Sequence, residues 1–259
     1  MTKHLTILTG ASRGMGLSMA RQLLASNEGP GSTLLCISRQ TSDGLEQLAS
    51  TTGCTLQQWS QDLVHGDRVS MRLEHWLLEQ GNNHFTNVTL INNAGVIGRI
   101  GPLSQSQLDD LIHALRVGLE APMQLTAAFL RATNSWQCAR KVLNISSGLG
   151  RRAMASQAAY CAAKAGMDHF TRCVALDEAD KPFGAKVCSL APGVIDTDMQ
   201  AQLRSAEPGL FPDQASFANL KSTGQLTSPE AAAARVLACL ARPDFGSQPV
   251  ADVREMISQ

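Results

Sequence analysis

The chain of 259 residues carries 22 basic and 22 acidic side chains and a formal net charge of zero, and its length suits one α/β domain. The charges are scattered, which argues against a nucleic-acid partner or an anionic membrane surface. Hydrophobic residues make up 44% but aromatic ones only 4%, so aliphatic side chains have to fill the core. The opening apolar run, 5–8, is far shorter than a signal-peptide core, and no stretch approaches the length needed to span a bilayer. The seven cysteines are scattered and form no C-x-x-C pair, as expected of reduced thiols in a cytoplasmic protein. The six histidines are dispersed as well, so no metal is expected.

In chain order, the first expected strand covers 4–8. It runs into Thr9-Gly10-Ala11-Ser12-Arg13-Gly14-Met15-Gly16, and an amphipathic helix is expected over 14–26. Glycines here permit a tight turn and close approach to a pyrophosphate, while the helix start aims free N–H groups and a positive dipole end at that anion. Gly10, Ser12, Arg13, Gly14, Met15 and Gly16 are therefore candidate dinucleotide contacts. The second strand, 33–38, ends in Ser38-Arg39, with no acid before Asp43. An acid at that point would bind the ribose 2′-hydroxyl of NAD, whereas Arg39 together with Arg13 suits the 2′-phosphate of NADP(H). Either arginine alone reads better as a solvated surface residue, and it is the pair without an acid that favours NADP(H). A helix over 44–51 and a third strand over 54–59 lead to Asp62-Leu63, a place for the adenine, although Asp62 equally suits a helix cap. A helix over 67–79 and a strand over 88–92 follow, and then Asn92-Asn93-Ala94-Gly95.

The middle of the chain predicts one long helix over 106–131, a strand over 141–145 that ends at Ser146-Ser147, and a helix over 160–179. Tyr160 and Lys164 are one turn apart on that helix and share a face. Tyr160 is also the only tyrosine of the chain. A phenol of ordinary pKa is a poor acid–base group near neutrality, and an ammonium beside it favours the phenolate. The sixth strand, 186–190, ends at Pro192-Gly193. The stretch 200–227, with Pro208, Gly209, Pro212 and Gly224, is expected to form a partly helical flap over the site. A helix over 229–240 starts with Ser228 as cap, Pro229 and Glu230, and a weaker strand is expected over 249–253. Such alternation implies one domain, 1–259, built on a doubly wound parallel sheet of about seven strands, with ligands at the carboxyl ends.

The turn at 9–16, the run Asn92-Asn93-Ala94-Gly95, Ser147, Tyr160-x-x-x-Lys164, and Pro192-Gly193 with Thr197 occur in an order that resembles the short-chain dehydrogenase/reductase family. The resemblance implies a Rossmann-like fold and NADPH-dependent reduction of a small carbonyl compound. Tyr160 would be the acid and base, Lys164 would bind the nicotinamide ribose, and Ser147 would hold the substrate oxygen. Asn93, Ala94, Gly95, Pro192, Gly193, Val194, Ile195 and Thr197 would border the cofactor. The stretches 191–204, 220–230 and 244–255 resemble the sepiapterin and benzil reductase branch. That implies an α-diketone or pteridine-like ketone, with walls from Leu149, Met199, Leu203, Phe211 and Phe217 and an amine anchor at Asp252. The family also implies a homodimer or homotetramer paired through 106–131 and 160–179. One departure stands out. Many members carry an asparagine in the long helix, and Gly118 takes its place here. Glycine costs about 1 kcal/mol there relative to alanine. Either the proton path runs through backbone and water, or the protein is a slow enzyme or an NADPH-binding regulator.

Overall fold

The computed structural model describes residues 3–26, 31–81 and 85–257. Its sheet contains β1 (His4–Thr9), β2 (Thr33–Ser38), β3 (Thr55–Ser60), β4 (Asn87–Asn92), β5 (Ala139–Ile145), β6 (Lys186–Ala191) and β7 (Val250–Asp252). All pair in parallel in the order β3-β2-β1-β4-β5-β6-β7. The order reverses between β1 and β4, so the loops after these strands diverge and leave a crevice at their carboxyl ends.

The central strands are buried on both faces because helices cover both. Leu5, Ile7, Leu35 and Ile37 face one apolar layer, and Leu8, Leu34 and Cys36 face the other, as the alternation of a strand requires. The first layer is closed by α3 (Gly66–Gln80), α5 (Ala121–Ala132) and α6 (Ala158–Glu178) through Leu73, Leu77, Leu125, Phe129 and Val174. The second is closed by α1 (Gly14–Ala25), α2 (Asp43–Thr52) and α9 (Pro229–Ala241) through Met19, Leu24, Leu45 and Val236. β3 is one of the two edge strands, and there Arg72 lies 4.0 Å over the ring of Trp59.

The single long helix expected over 106–131 is broken. α4 (Leu108–Leu115) passes into a wide π-turn, Arg116–Glu120, before α5 resumes. Pro122 is the physical reason. It has no N–H for the Gly118 carbonyl four residues back, and its ring crowds that carbonyl. The backbone widens by one residue instead, so that the Ala121 N–H bonds Arg116 O. The stretch after β6 contains two short helices, α7 (Asp198–Arg204) and α8 (Gln214–Ser222). α10 (Val253–Ile257) follows β7. No helix among the described residues is long and apolar enough to cross a membrane.

Candidate active site

The turn after β1 has no room for a side chain at Gly10 or Gly16. Gly10 and Gly14 take φ values of 71° and 52°. A Cβ on Gly16 would lie 2.0 Å from Gly10 O, and one on Gly10 would lie 2.9 Å from Ala94 Cα. Asn93 braces the turn. Its Nδ2 donates to Thr9 O at 3.0 Å and to Gly10 O at 3.3 Å, while the Asn93 and Ala94 N–H groups both donate to Thr9 Oγ1 at 3.0 Å. α1 then starts with no side-chain cap and no acid in its first turn. Its first N–H groups are left to an outside acceptor, which fits a dinucleotide diphosphate.

The strand end after β6 returns to the same place. Gly193, at φ 86°, turns the chain. Thr197 Cγ2 comes within 3.5 Å of where a Gly14 Cβ would be. The Val194 carbonyl and the Asp196 N–H both bond Thr227, at 2.9 Å each, which fixes this loop beside the glycine turn. On the adenine side, Arg39 is exposed at the tip of β2 and Ser38 Oγ donates to Gln40 O at 2.7 Å. Asp62 accepts the Val64 N–H at 3.0 Å and so caps the turn Leu63–His65, with Leu63 buried. Arg13 pairs with Asp198 of α7 at 2.9 Å, both side chains largely exposed.

Ser147, Tyr160 and Lys164 meet at the carboxyl end of β5. Lys164 is 3% exposed, and its ammonium donates to Ile145 O at 2.7 Å. It lies 5.7 Å from the centre of the Tyr160 ring and 3.8 Å from the Cβ position of Gly95. Ser147 Oγ accepts the Leu149 N–H at 3.2 Å. Burial pushes the Tyr160 phenol up to about 12, the hydrogen bond with Ser147 pulls the other way, and neighbouring Cys161 adds to the rise. Burial pulls Lys164 down to about 8, and the charge of Asp168 resists it. A cleft beside Tyr160 is lined by Gly98, Asp110, Ser156 and Gln157. Gly118 faces α6, where a Cβ would sit 3.1 Å from Ala163 Cβ. Close helix packing is thus what glycine permits at this point.

Beneath the group runs a buried polar seam that the sequence reading did not find. Asn92 Nδ2 donates to Asn144 Oδ1 at 2.8 Å and to Thr126 at 3.2 Å, and Asn144 Nδ2 donates to Thr171 at 2.9 Å. Asp168 of α6 accepts from Ser146 at 2.6 Å and Ser189 at 2.7 Å. The signals were an asparagine inside an apolar strand and an acid one turn beyond Lys164, but only the strand order brings them together.

Of the residues expected around the substrate, Leu203 and Phe211 are buried with Ile100 in a small apolar cluster, against which Ile97, Met154 and Phe217 pack. Leu149 and Met199 are half-buried. The flap is bound down through Ser156 Oγ to Leu210 O at 2.5 Å and Gln202 Nε2 to Gly98 O at 3.1 Å. The carboxylate of Asp252 is held at both oxygens by the Arg254 guanidinium, at 2.8 and 2.7 Å, so an amine ligand would have to share it with that cation.

Comparison with known proteins identifies the family. The family model for short chain dehydrogenases matches residues 4–208. A benzil reductase ((S)-benzoin forming) of Bacillus cereus is 34% identical over 239 residues, covering 92% of this chain and 94% of the relative. A sepiapterin reductase of Xenopus laevis is 34% identical over 217 residues, 80% of each chain. A solved structure of a putative 2-deoxy-d-gluconate 3-dehydrogenase from Agrobacterium tumefaciens with bound NADP superposes with a TM-score of 0.77 at 23% identity, covering 96% of this chain and 94% of that one.

Proposed function

Since the chain belongs to the short-chain dehydrogenase family, a lineage of oxidoreductases, we propose that it is an NADPH-dependent reductase of ketones or α-dicarbonyls of the kind represented by benzil and sepiapterin. The observation that carries this reading is the meeting of Ser147, Tyr160 and Lys164 at the tip of β5, with the Gly95 backbone beside the lysine. The activities of these two relatives, each about a third identical over most of the chain, support the substrate class. Arg13 and Arg39, with no acid at the end of β2, support NADPH over NADH.

A bound nicotinamide supplies the hydride. Ser147 donates a hydrogen bond to the substrate carbonyl oxygen and sets the distance of its carbon from the donor. As negative charge develops on that oxygen, the Tyr160 hydroxyl gives it a proton. The Lys164 ammonium stabilises the phenolate that remains. With its phenol held near 12 in the free protein, Tyr160 is protonated at neutral pH and ready to act as the acid of reduction. The α7–α8 segment forms the apolar side of the substrate cleft and completes a single catalytic domain. The protein works in the cytoplasm as a homodimer or homotetramer, and the exposed Leu108, Ile112 and Leu115 on one face of α4 supply apolar contact area for a second copy.

The test follows consumption of NADPH and NADH with benzil and sepiapterin, for wild type and Tyr160→Phe. NADPH-selective turnover that drops by at least about a hundredfold in Tyr160→Phe, with NADPH binding kept, is the expected result. Tight NADPH binding without turnover on a broad carbonyl panel would make the protein a nucleotide-binding regulator instead.

A further inference from the structure

Asp168 has no part in the chemistry just described, yet it occupies the centre of the site's foundation. It is 2% exposed and lies one turn beyond Lys164 on α6. Oδ1 accepts the Ser146 hydroxyl from the tip of β5 at 2.6 Å and the Ser189 hydroxyl from β6 at 2.7 Å. Oδ2 is buried with no hydrogen-bond partner. The backbone of the turn Gly148–Gly150 closes over it so tightly that a Cβ on Gly150 would lie 2.7 Å from Oδ2 and 3.0 Å from Lys164 O. Arg151 Nε is 3.9 Å from the same oxygen.

A carboxylate with an open lone pair in a dry interior is costly unless a charge answers it. Two cations lie near: Arg151, on the turn after β5, and Lys164. Arg151 is partly exposed and shares itself with Ala251 O at 3.4 Å. Lys164 is buried and spends its ammonium on a neutral carbonyl. The other ionisable groups facing this region are Tyr160 beside Lys164, Cys188 on β6 and Asp252 across from Arg151.

We propose that Asp168 is a positioning residue for Ser147, Tyr160 and Lys164: its buried carboxylate is the fixed countercharge to Lys164, and through Ser146 and Ser189 it ties α6 to the tips of β5 and β6. The role of Lys164 in this statement rests on the reductase reading above. Ser146 adjoins Ser147, so the Asp168–Ser146 bond also sets where the substrate-binding hydroxyl stands. Lys164 titrates near 8 with Asp168 beside it. Without the carboxylate, nothing buried offsets the desolvation of the ammonium, which then loses its proton at lower pH.

The experiment measures kcat and KM for benzil with NADPH against pH, and NADPH affinity against pH, in wild type, Asp168→Asn, Ser189→Ala and Arg151→Leu. In Asp168→Asn the alkaline fall in kcat is expected to move down by about one pH unit, with kcat down roughly tenfold and KM changed less than about twofold. Arg151→Leu removes a competing cation and moves the fall upward. Ser189→Ala breaks one hydrogen bond without changing charge and leaves it in place. An unmoved fall in Asp168→Asn, or an equal shift in Ser189→Ala, overturns the proposal. If Asp168→Asn does not fold, Asp168→Ser, which also removes the charge and is smaller, takes its place and is judged by the same shift. If wild type turns over no carbonyl, the reductase reading fails on its own, and the pH dependence of NADPH affinity still tests Asp168: a break displaced downward in Asp168→Asn supports the countercharge, and an unmoved one refutes it.

Discussion

Lys164 and Tyr160 are perturbed by the same burial in opposite directions, and the two shifts make a pH prediction. In the proposed mechanism, reduction requires Tyr160 protonated and Lys164 charged. Tyr160, near 12, keeps its proton throughout the working range, whereas Lys164, near 8, does not. The free protein's kcat/KM for reduction is therefore expected to be flat below pH 8 and to fall as pH rises through that value. A profile still rising at pH 9 would separate activity from Lys164. At the rim of the cofactor cleft, Arg39→Ala is expected to weaken NADPH about tenfold and NADH hardly at all, as read by nicotinamide fluorescence. Arg13→Ala also frees Asp198, because the two are ion-paired. The glycine turn and the Tyr160–Lys164 pair could be read from the sequence because their spacing along one turn or one helix carries the meaning, whereas Ser147 was read from the family resemblance. Asp168, Ser146 and Ser189 could not be, because three separate elements meet there and only the parallel order β4-β5-β6 places them side by side.

Among the elements, the strands were the most readable, since apolar runs buried on both faces leave little ambiguity. The misread one was the long helix. Periodicity carried it straight through Pro122, whose missing N–H breaks the register and produces the π-turn at Arg116–Glu120. Gly118 sits within that turn and against Ala163, the residue next to Lys164 in sequence. In Gly118→Ala, a propensity gain of about 1 kcal/mol is set against the tight contact, so the thermal midpoint should move little. kcat should fall several-fold as α6 is pushed. At the opposite end of the sheet, Arg140 of β5 and Glu178 of α6 form a buried pair at 3.0 Å, with the Ala185 N–H and Lys181 also on the carboxylate. Burial opposes ionisation of Glu178, but the Ala185 N–H, Lys181 and Arg140 prevail and hold its carboxyl below the usual range. The stability this gives is present at neutral pH and is lost as pH falls through the lowered pKa. Glu178→Gln is expected to cost about 3 kcal/mol at pH 7, and progressively less in acid, by urea unfolding.

For the whole molecule, assembly is the first quantity to measure. Leu108 is 70% exposed and Leu115 is 40% exposed on the same face of α4, so Leu108→Lys with Leu115→Lys should shift the sedimenting species toward monomer if that face pairs copies. The composition adds something else. Because Tyr160 is the sole tyrosine in 259 residues, its acid–base group is also the chain's only phenol chromophore. The three tryptophans do not ionise, so any tyrosinate absorbance belongs to Tyr160, the proposed acid. The free protein should stay dark in that band until close to pH 12. Addition of oxidised cofactor, which brings a positive charge to the site, should bring the band in at lower pH. The protein thus carries its own optical titrant at the proposed point of proton transfer, and Tyr160→Phe is the blank.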